Sequence, residues 1–179
     1  PATTTVPFAA ASDVYKRQLI SVGVSQLSCQ PQRADQRLTV ASAGKISSLD
    51  PAQASTVNTI QLLSALGDPL YSLSEDGELV PRLAAAPPEI SADGTIVTIP
   101  LRTDVRFHDG SRFDAAAMAF SLRRFLRIGS LSYVVGDRIA AVEVAAPDRL
   151  QLRLSRPSTS LVGILTSLHL TPVSPHAYR

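Results

Sequence analysis

A chain of 179 residues with 45% hydrophobic and 18% charged side chains carries enough apolar material to bury a core, which excludes a disordered chain. The formal charge of +2 comes from 17 basic and 15 acidic residues interspersed along the chain; with 5% aromatics and no tryptophan, neither a basic patch nor a stacking surface points to nucleic acid. A single cysteine excludes internal disulfides and any multi-cysteine zinc site.

Pro1 to Gln18 shows no hydrophobic period, cap or turn chemistry. Its last nine residues, Ala10-Ala11-Ser12-Asp13-Val14-Tyr15-Lys16-Arg17-Gln18, resemble the in-frame translation of a transposase adapter used for shotgun sequencing libraries. That resemblance makes 1–18 a non-native leader; the alternative is that Lys16 and Arg17 form the basic start of a signal peptide. Leu19 to Ser28 is apolar and small, shorter than the roughly 20 residues that cross a bilayer, and suits the end of a signal peptide's apolar region. Cys29 then heads a polar run, 30–37, that resembles the tether after the modified cysteine of a bacterial lipoprotein. A thiol there is the nucleophile for diacylglyceryl transfer, and the acyl chains hold an otherwise soluble domain at a membrane surface. Gln26 departs from the pattern, which prefers an aliphatic residue three before the cysteine. On this reading 19–29 is a signal-peptide remnant ending at Cys29, and 38–179 is one continuous structured segment without repeats.

Within that segment, Leu38 to Ala43 reads as a strand and Leu49-Asp50-Pro51 as a turn. Val57, Ile60, Leu63 and Leu66 predict an amphipathic helix from about Ser55 to Leu66, closed by Gly67. A strand at Pro69 to Leu73 and a turn at Glu75-Asp76-Gly77 precede two strands, Glu89 to Ser91 and Thr95 to Leu101, joined through Ala92-Asp93-Gly94. Asp114 is the candidate N-cap of a helix from Ala115 to Leu126 with an apolar stripe of Met118, Leu122, Phe125 and Leu126. Arg123, Arg124 and Arg127 fall in its last turns, where the dipole favours cations, which explains them better than a phosphate site. Strands at Ile139 to Ala145 and Arg149 to Leu154 flank Pro147-Asp148, and a helix near Ser160 to Leu168 leads into Leu170 to Pro175. Strands outnumber helices, so the class is α+β.

No machinery for catalysis is visible. Cys29 lies in the tail and no Gly-x-Ser-x-Gly elbow or phosphate-binding glycine loop occurs. His108, His169 and His176 lack the spacing of a zinc centre, and no other metal or cofactor is implied. Asp104 and Asp109, beside Arg102, Arg106 and Gly110, read as charge balance and turn geometry rather than as paired catalytic carboxylates. The residues alone describe an exported α+β binding or interaction module.

From Ala86 a longer pattern follows: Asp93-Gly94, alternating Ile96-Val97-Thr98-Ile99-Pro100-Leu101, then Arg102-Thr103-Asp104-Val105-Arg106-Phe107-His108-Asp109-Gly110. It resembles the signature of the family 5 extracytoplasmic solute-binding proteins of ABC importers, the peptide, dipeptide and nickel-binding group. Ser48-Leu49-Asp50-Pro51, Asp68-Pro69-Leu70-Tyr71, Gly77 to Ala84, Phe113-Asp114-Ala115, Phe120 to Arg124 and Pro172-Val173-Ser174-Pro175 extend the resemblance from about Leu38 to Tyr178. Ala86-Pro87-Pro88 departs from the aromatic usual in the family, and Asp68-Pro69 from a common Glu-Gly.

The resemblance implies a type II periplasmic binding protein fold, of which this chain would be the N-terminal part of a two-lobed, mixed-sheet whole, with the second lobe beyond Arg179 and an exposed face prone to aggregation. It makes Phe107 to Gly110 scaffold. By position it assigns the ligand-lining loop to Ala54, Ser55, Thr56 and Val57, and more loosely Tyr133; Ser55 also suits a helix N-cap, and Tyr133 a surface aromatic. It further implies a monomeric receptor in the periplasm, lipid-anchored through Cys29, with a peptide-like or small polar ligand and ABC permease subunits as partners. An extracytoplasmic sensory domain on the same fold is the alternative, since fold does not fix function.

Overall fold

Strict alternation between Ile96 and Leu101 demands a strand with one buried face, and Val97, Ile99 and Leu101 are each 3% exposed or less. A computed structural model describes residues 44–158 and 160–178, all within one compact unit, Ser42–Arg179. The adapter-like leader, the signal remnant, Cys29, the tether and the predicted strand at Leu38 to Ala43 lie outside the described residues.

The described strands are β1 (Tyr71–Leu73), β2 (Leu79–Pro81), β3 (Glu89–Ile90), β4 (Ile96–Pro100), β5 (Ile139–Ala146) and β6 (Arg149–Leu154); the helices are α1 (Val57–Leu66), α2 (Ala115–Ile128) and α3 (Leu161–Ile164). β1 and β2 form a hairpin, and the main sheet has the order β3-β4-β6-β5, with every pair antiparallel. Register places Val97 and Val142 on either side of Leu152, and Ile99 beside Leu150. Because side chains alternate across a strand, these residues share one face, and α2 covers it with Met118, Leu122 and Phe125. The other face carries the cross-strand pair Arg153–Glu143 at 3.4 Å, more than 40% exposed on both sides and so of small energetic weight.

Local chemistry sets the boundaries. Asp114 caps α2 by accepting from the Ala117 N–H at 2.8 Å. Gly94 and Gly110 adopt φ of 69° and 84° after Asp93 and Asp109, the left-handed turn geometry that a Cβ would oppose. Asp109 does more than turn the chain: its carboxylate accepts from the Ser111 N–H at 2.9 Å, from the Ser111 hydroxyl at 2.5 Å and from the Ser174 hydroxyl at 2.5 Å. Ser121 on α2 accepts from the Val173 N–H at 3.0 Å, so Pro172 to Pro175 is fastened at two points. The Phe107–Gly110 turn is thereby tied to the Pro172–Pro175 segment.

Three expectations are corrected. The first helix starts at Val57, not Ser55, because the Thr56 hydroxyl takes the cap, accepting from the Thr59 N–H at 3.3 Å. Its inward face is Thr59 and Leu63, while Val57 and Leu66 are 74% and 47% exposed. The predicted helix over 160–168 is two short pieces, α3 and a 3-10 turn at Leu168–Leu170. Gly163 and the β-branched Val162, Ile164 and Thr166 are poor helix formers, the Thr166 hydroxyl donates to the Gly163 carbonyl at 2.7 Å, and Ser167 opens the next turn by accepting from the His169 N–H. The strand predicted at Pro69 shortens to Tyr71–Leu73, since the Leu70 carbonyl accepts from both Arg82 and Ala84 N–H groups and leaves the ladder.

Met118 is fully buried between α2 and the sheet, so Met118→Ala is expected to cost about 2–5 kcal/mol with an unchanged denaturant slope in urea unfolding. A second prediction concerns Asp109, whose pKa the Ser111 and Ser174 hydroxyls lower from 3.8 to about 2. A depressed folded-state value contributes stability above the ordinary carboxylate range that is lost as pH falls through about 2. Asp109→Asn is therefore expected to unfold at lower urea than the parent at pH 6, with the gap closing as pH falls from 4 towards 2; an equal gap at both ends would remove the carboxylate as its source.

Candidate functional site

The segment from Asp50 to Val57 is built around a carboxylate. Asp50 accepts from the Ala52 N–H at 3.1 Å and so caps a 3-10 turn, Pro51–Gln53, while Pro51 supplies a preset φ at its first position. Both Asp50 oxygens accept from the Arg124 guanidinium, at 2.7 and 2.5 Å. The two side chains are only 12% exposed, so the pair is shielded and bidentate. The Tyr178 ring lies 4.5 Å from the Arg124 guanidinium carbon and closes the other side of the ion. Hydrogen bonding to Asp50 raises the Arg124 pKa, and burial raises that of the Tyr178 phenol. Arg124 is therefore a long-range partner of the Leu49-Asp50-Pro51 turn, and Arg123 donates to the Val142 carbonyl at 2.5 Å; neither is accounted for by the helix dipole alone.

Two further bonds hold this turn. The Ser130 N–H donates to the Ala52 carbonyl at 2.9 Å, and a ring nitrogen of His169 lies 3.1 Å from the Ala54 carbonyl. The first brings the loop after α2, which carries Tyr133, against the turn that precedes Ser55.

The resemblance-assigned residues are placed unequally. Ala54 is 1% exposed and presents no side chain to solvent. Ser55 is exposed, with its hydroxyl 3.2 Å from that of Ser47. Thr56 is committed: its hydroxyl caps α1, lies 2.8 Å from the Thr59 hydroxyl and donates to the Lys45 carbonyl at 3.3 Å. Val57 and Tyr133 stand out at 74% and 76% exposure, on α1 and on a 3-10 turn, Ser132–Val134. Cys29 lies outside the described residues.

The structure also holds a cleft that sequence reasoning missed. About 420 Å³ opens between the end of α1, the Arg106–His108 stretch and residues 171–173, lined in part by Leu49, Leu66, Phe107 and Tyr178. Its walls come from stretches far apart in the chain, and no periodicity announces such a convergence. Among the described residues no three His, Cys, Asp or Glu side chains come together as a metal site, and no helix is long and apolar enough to cross a membrane.

Comparison with known proteins places this geometry. Residues 78–178 match the bacterial extracellular solute-binding proteins, family 5 Middle. The chain belongs to this family. Glutathione-binding protein GsiB of Salmonella paratyphi A is 29% identical over 167 residues, 92% of this chain and 32% of GsiB. The chain thus spans about a third of the length of the curated relatives it matches. Listeria monocytogenes OppA bound to peptide superposes with a TM-score of 0.68 at 23% identity, over 74% of this chain and 29% of OppA. NikA from Brucella suis, in complex with Fe(III)-EDTA, gives a TM-score of 0.66 at 27% identity over 73% of this chain and 26% of NikA. The described fold is accordingly part of a type II periplasmic binding protein, and the proteins it resembles are solute binders rather than enzymes.

Removing one partner of the Asp50–Arg124 pair strands a shielded charge. Asp50→Ala is expected to destabilise by about 3–5 kcal/mol in urea unfolding, and Arg124→Lys by less, since lysine keeps the charge and loses the two-pronged geometry. Equal, small effects of both would show the pair to be solvated.

Proposed function

We propose that this chain is part of the substrate-binding component of an ABC importer, which captures a peptide-like or other small polar solute outside the cytoplasmic membrane and delivers it to the permease. The observation that carries this reading is the family match over residues 78–178, supported by relatives named for glutathione and peptide. OppA with peptide and NikA with Fe(III)-EDTA share the fold and take different ligands, so the solute follows from the side chains of the site rather than from the scaffold.

In this reading Ser55, Val57 and Tyr133 form the accessible rim, while Ala54 and Thr56 set the backbone beneath it. A hydroxyl and backbone N–H groups at the start of α1 suit a carboxylate or carbonyl of a peptide, and an aromatic ring with an isopropyl group suits an apolar side chain. Closure of two lobes about the solute, without covalent chemistry, is the mechanism. The receptor works as a monomer in the periplasm, held to the cytoplasmic membrane through acylated Cys29.

Calorimetry on the full-length receptor with glutathione and a panel of di- and tripeptides checks the reading. At least one probe is expected to bind, and Tyr133→Ala to weaken it by about tenfold. Silence across the panel would remove the peptide assignment, and unchanged affinity in Tyr133→Ala would remove Tyr133 from the rim.

A further inference from the structure

The ring of His169 reaches the candidate ligand loop. It sits in the 3-10 turn Leu168–Leu170, whose position is fixed by Leu161, Leu165 and Leu170, all buried in the core. The His169 Nε2 lies 3.1 Å from the Ala54 carbonyl and its Nδ1 lies 3.1 Å from the Ser167 hydroxyl. A carbonyl only accepts, so Nε2 carries the hydrogen and donates, and in the neutral ring Nδ1 accepts from Ser167. The imidazole therefore has an assigned tautomer, and it joins residues 115 positions apart in the chain.

We propose that His169 is a positioning residue for ligand binding: by donating from Nε2 to the Ala54 carbonyl, it fixes the peptide unit immediately before Ser55 and so sets the start of the loop that meets the solute. The proposal rests on the assignment of that loop to ligand binding. Three observations support it. The Ala54 side chain is 1% exposed and the Ala54 N–H turns back to the Pro51 carbonyl, so the His169 bond arrives on a segment that is already packed. Asp50 and Ser130 hold the preceding residues through the Ala52 N–H and carbonyl, which leaves the Ala54 carbonyl as the last anchor before the exposed Ser55. On the His169 side, Ser167 both accepts from the His169 N–H and bonds to its ring, so the imidazole is oriented before it reaches Ala54. A ring held at both nitrogens loses little freedom on making the bond and transmits the position of the core to the loop.

The test uses the full-length receptor and two substitutions. His169→Phe keeps a planar ring beside a cavity of about 120 Å³ and deletes the donor, while His169→Gln places an amide N–H near the Nε2 position. Hydrogen exchange of a peptide spanning residues 48–60 reads the anchor directly, and calorimetry with glutathione and dipeptides reads its effect on binding. The expected result is faster exchange and about three- to tenfold weaker binding in His169→Phe, the share of one hydrogen bond, with both largely restored in His169→Gln. Unchanged exchange in His169→Phe overturns the proposal, as does faster exchange with unchanged affinity, or equal losses in the Phe and Gln variants. A parent that binds no probe sinks the ligand assignment and this role with it, while altered exchange in that case still locates the failure in the assignment rather than in the bond. Nitrogen shifts of labelled His169 add an independent check: an Nδ1-protonated neutral ring would overturn the geometry on which the proposal stands.

Discussion

The ion pair between Asp50 and Arg124 is the constraint on which the surroundings of the candidate site depend. One carboxylate performs two tasks, capping the Pro51–Gln53 turn and receiving both prongs of a guanidinium that belongs to α2. Since α2 is seated on the sheet by Met118, Leu122 and Phe125, the pair adds a charged link between that helix and a turn whose Ala52 is itself part of the core. The Tyr178 ring stacked on the same guanidinium extends that reach to the far end of the described chain. Shielding makes the arrangement costly to disrupt, because water cannot replace a partner that is lost.

Two kinds of fastening complement this pair. Around Asp109, short polar side chains tie a tight turn to the Pro172–Pro175 segment, so the most recognisable stretch of sequence clasps two loops together. Around Thr59, which is wholly buried, hydroxyls of Thr56 and Ser47 and the Ser47 N–H converge and stitch the 45–47 segment to the start of α1. The hydroxyls near that helix start are therefore divided between architecture and surface: Thr56 and Thr59 face inward to each other, and Ser55 is left outside.

Much of this was legible in the sequence where the signal is local. Alternation in β4, the Asp114 cap, the Asp-Gly turns and the stripe on α2 each rest on residues within one element, and the structure has them where the spacing puts them. The errors arose where a distant group decides the outcome. Val57 and Leu66 fit a helical stripe, yet the partner that α1 packs against meets Thr59 and Leu63 instead, because the buried hydroxyl is satisfied by Ser47 twelve residues away. Arg124 looked like an ordinary cation in a last turn, since nothing in the spacing links it to a carboxylate 74 residues earlier. His169 carried no motif at all, and its bond to Ala54 exists only once the chain has folded back. Of the candidate loop, the sequence pattern located the segment, whereas the division into buried Ala54, capping Thr56 and exposed Ser55 and Val57 required the packing.

The main sheet has edges of an instructive kind. β3 contributes only Glu89 and Ile90 and follows Pro87-Pro88, which offers no N–H groups there. On the opposite side β5 pairs regularly with β6 only across Ala141–Val144, with register irregularities between Ile139 and Ala141 and between Val144 and Ala146. Among the described residues, one outer strand of this sheet is therefore very short and the other is irregular. The order β3-β4-β6-β5 is thus held by its two central strands, and each outer strand carries its own interruption, a proline pair before β3 and two shifts of register along β5, so that regular pairing reaches only a few residues outward on either side.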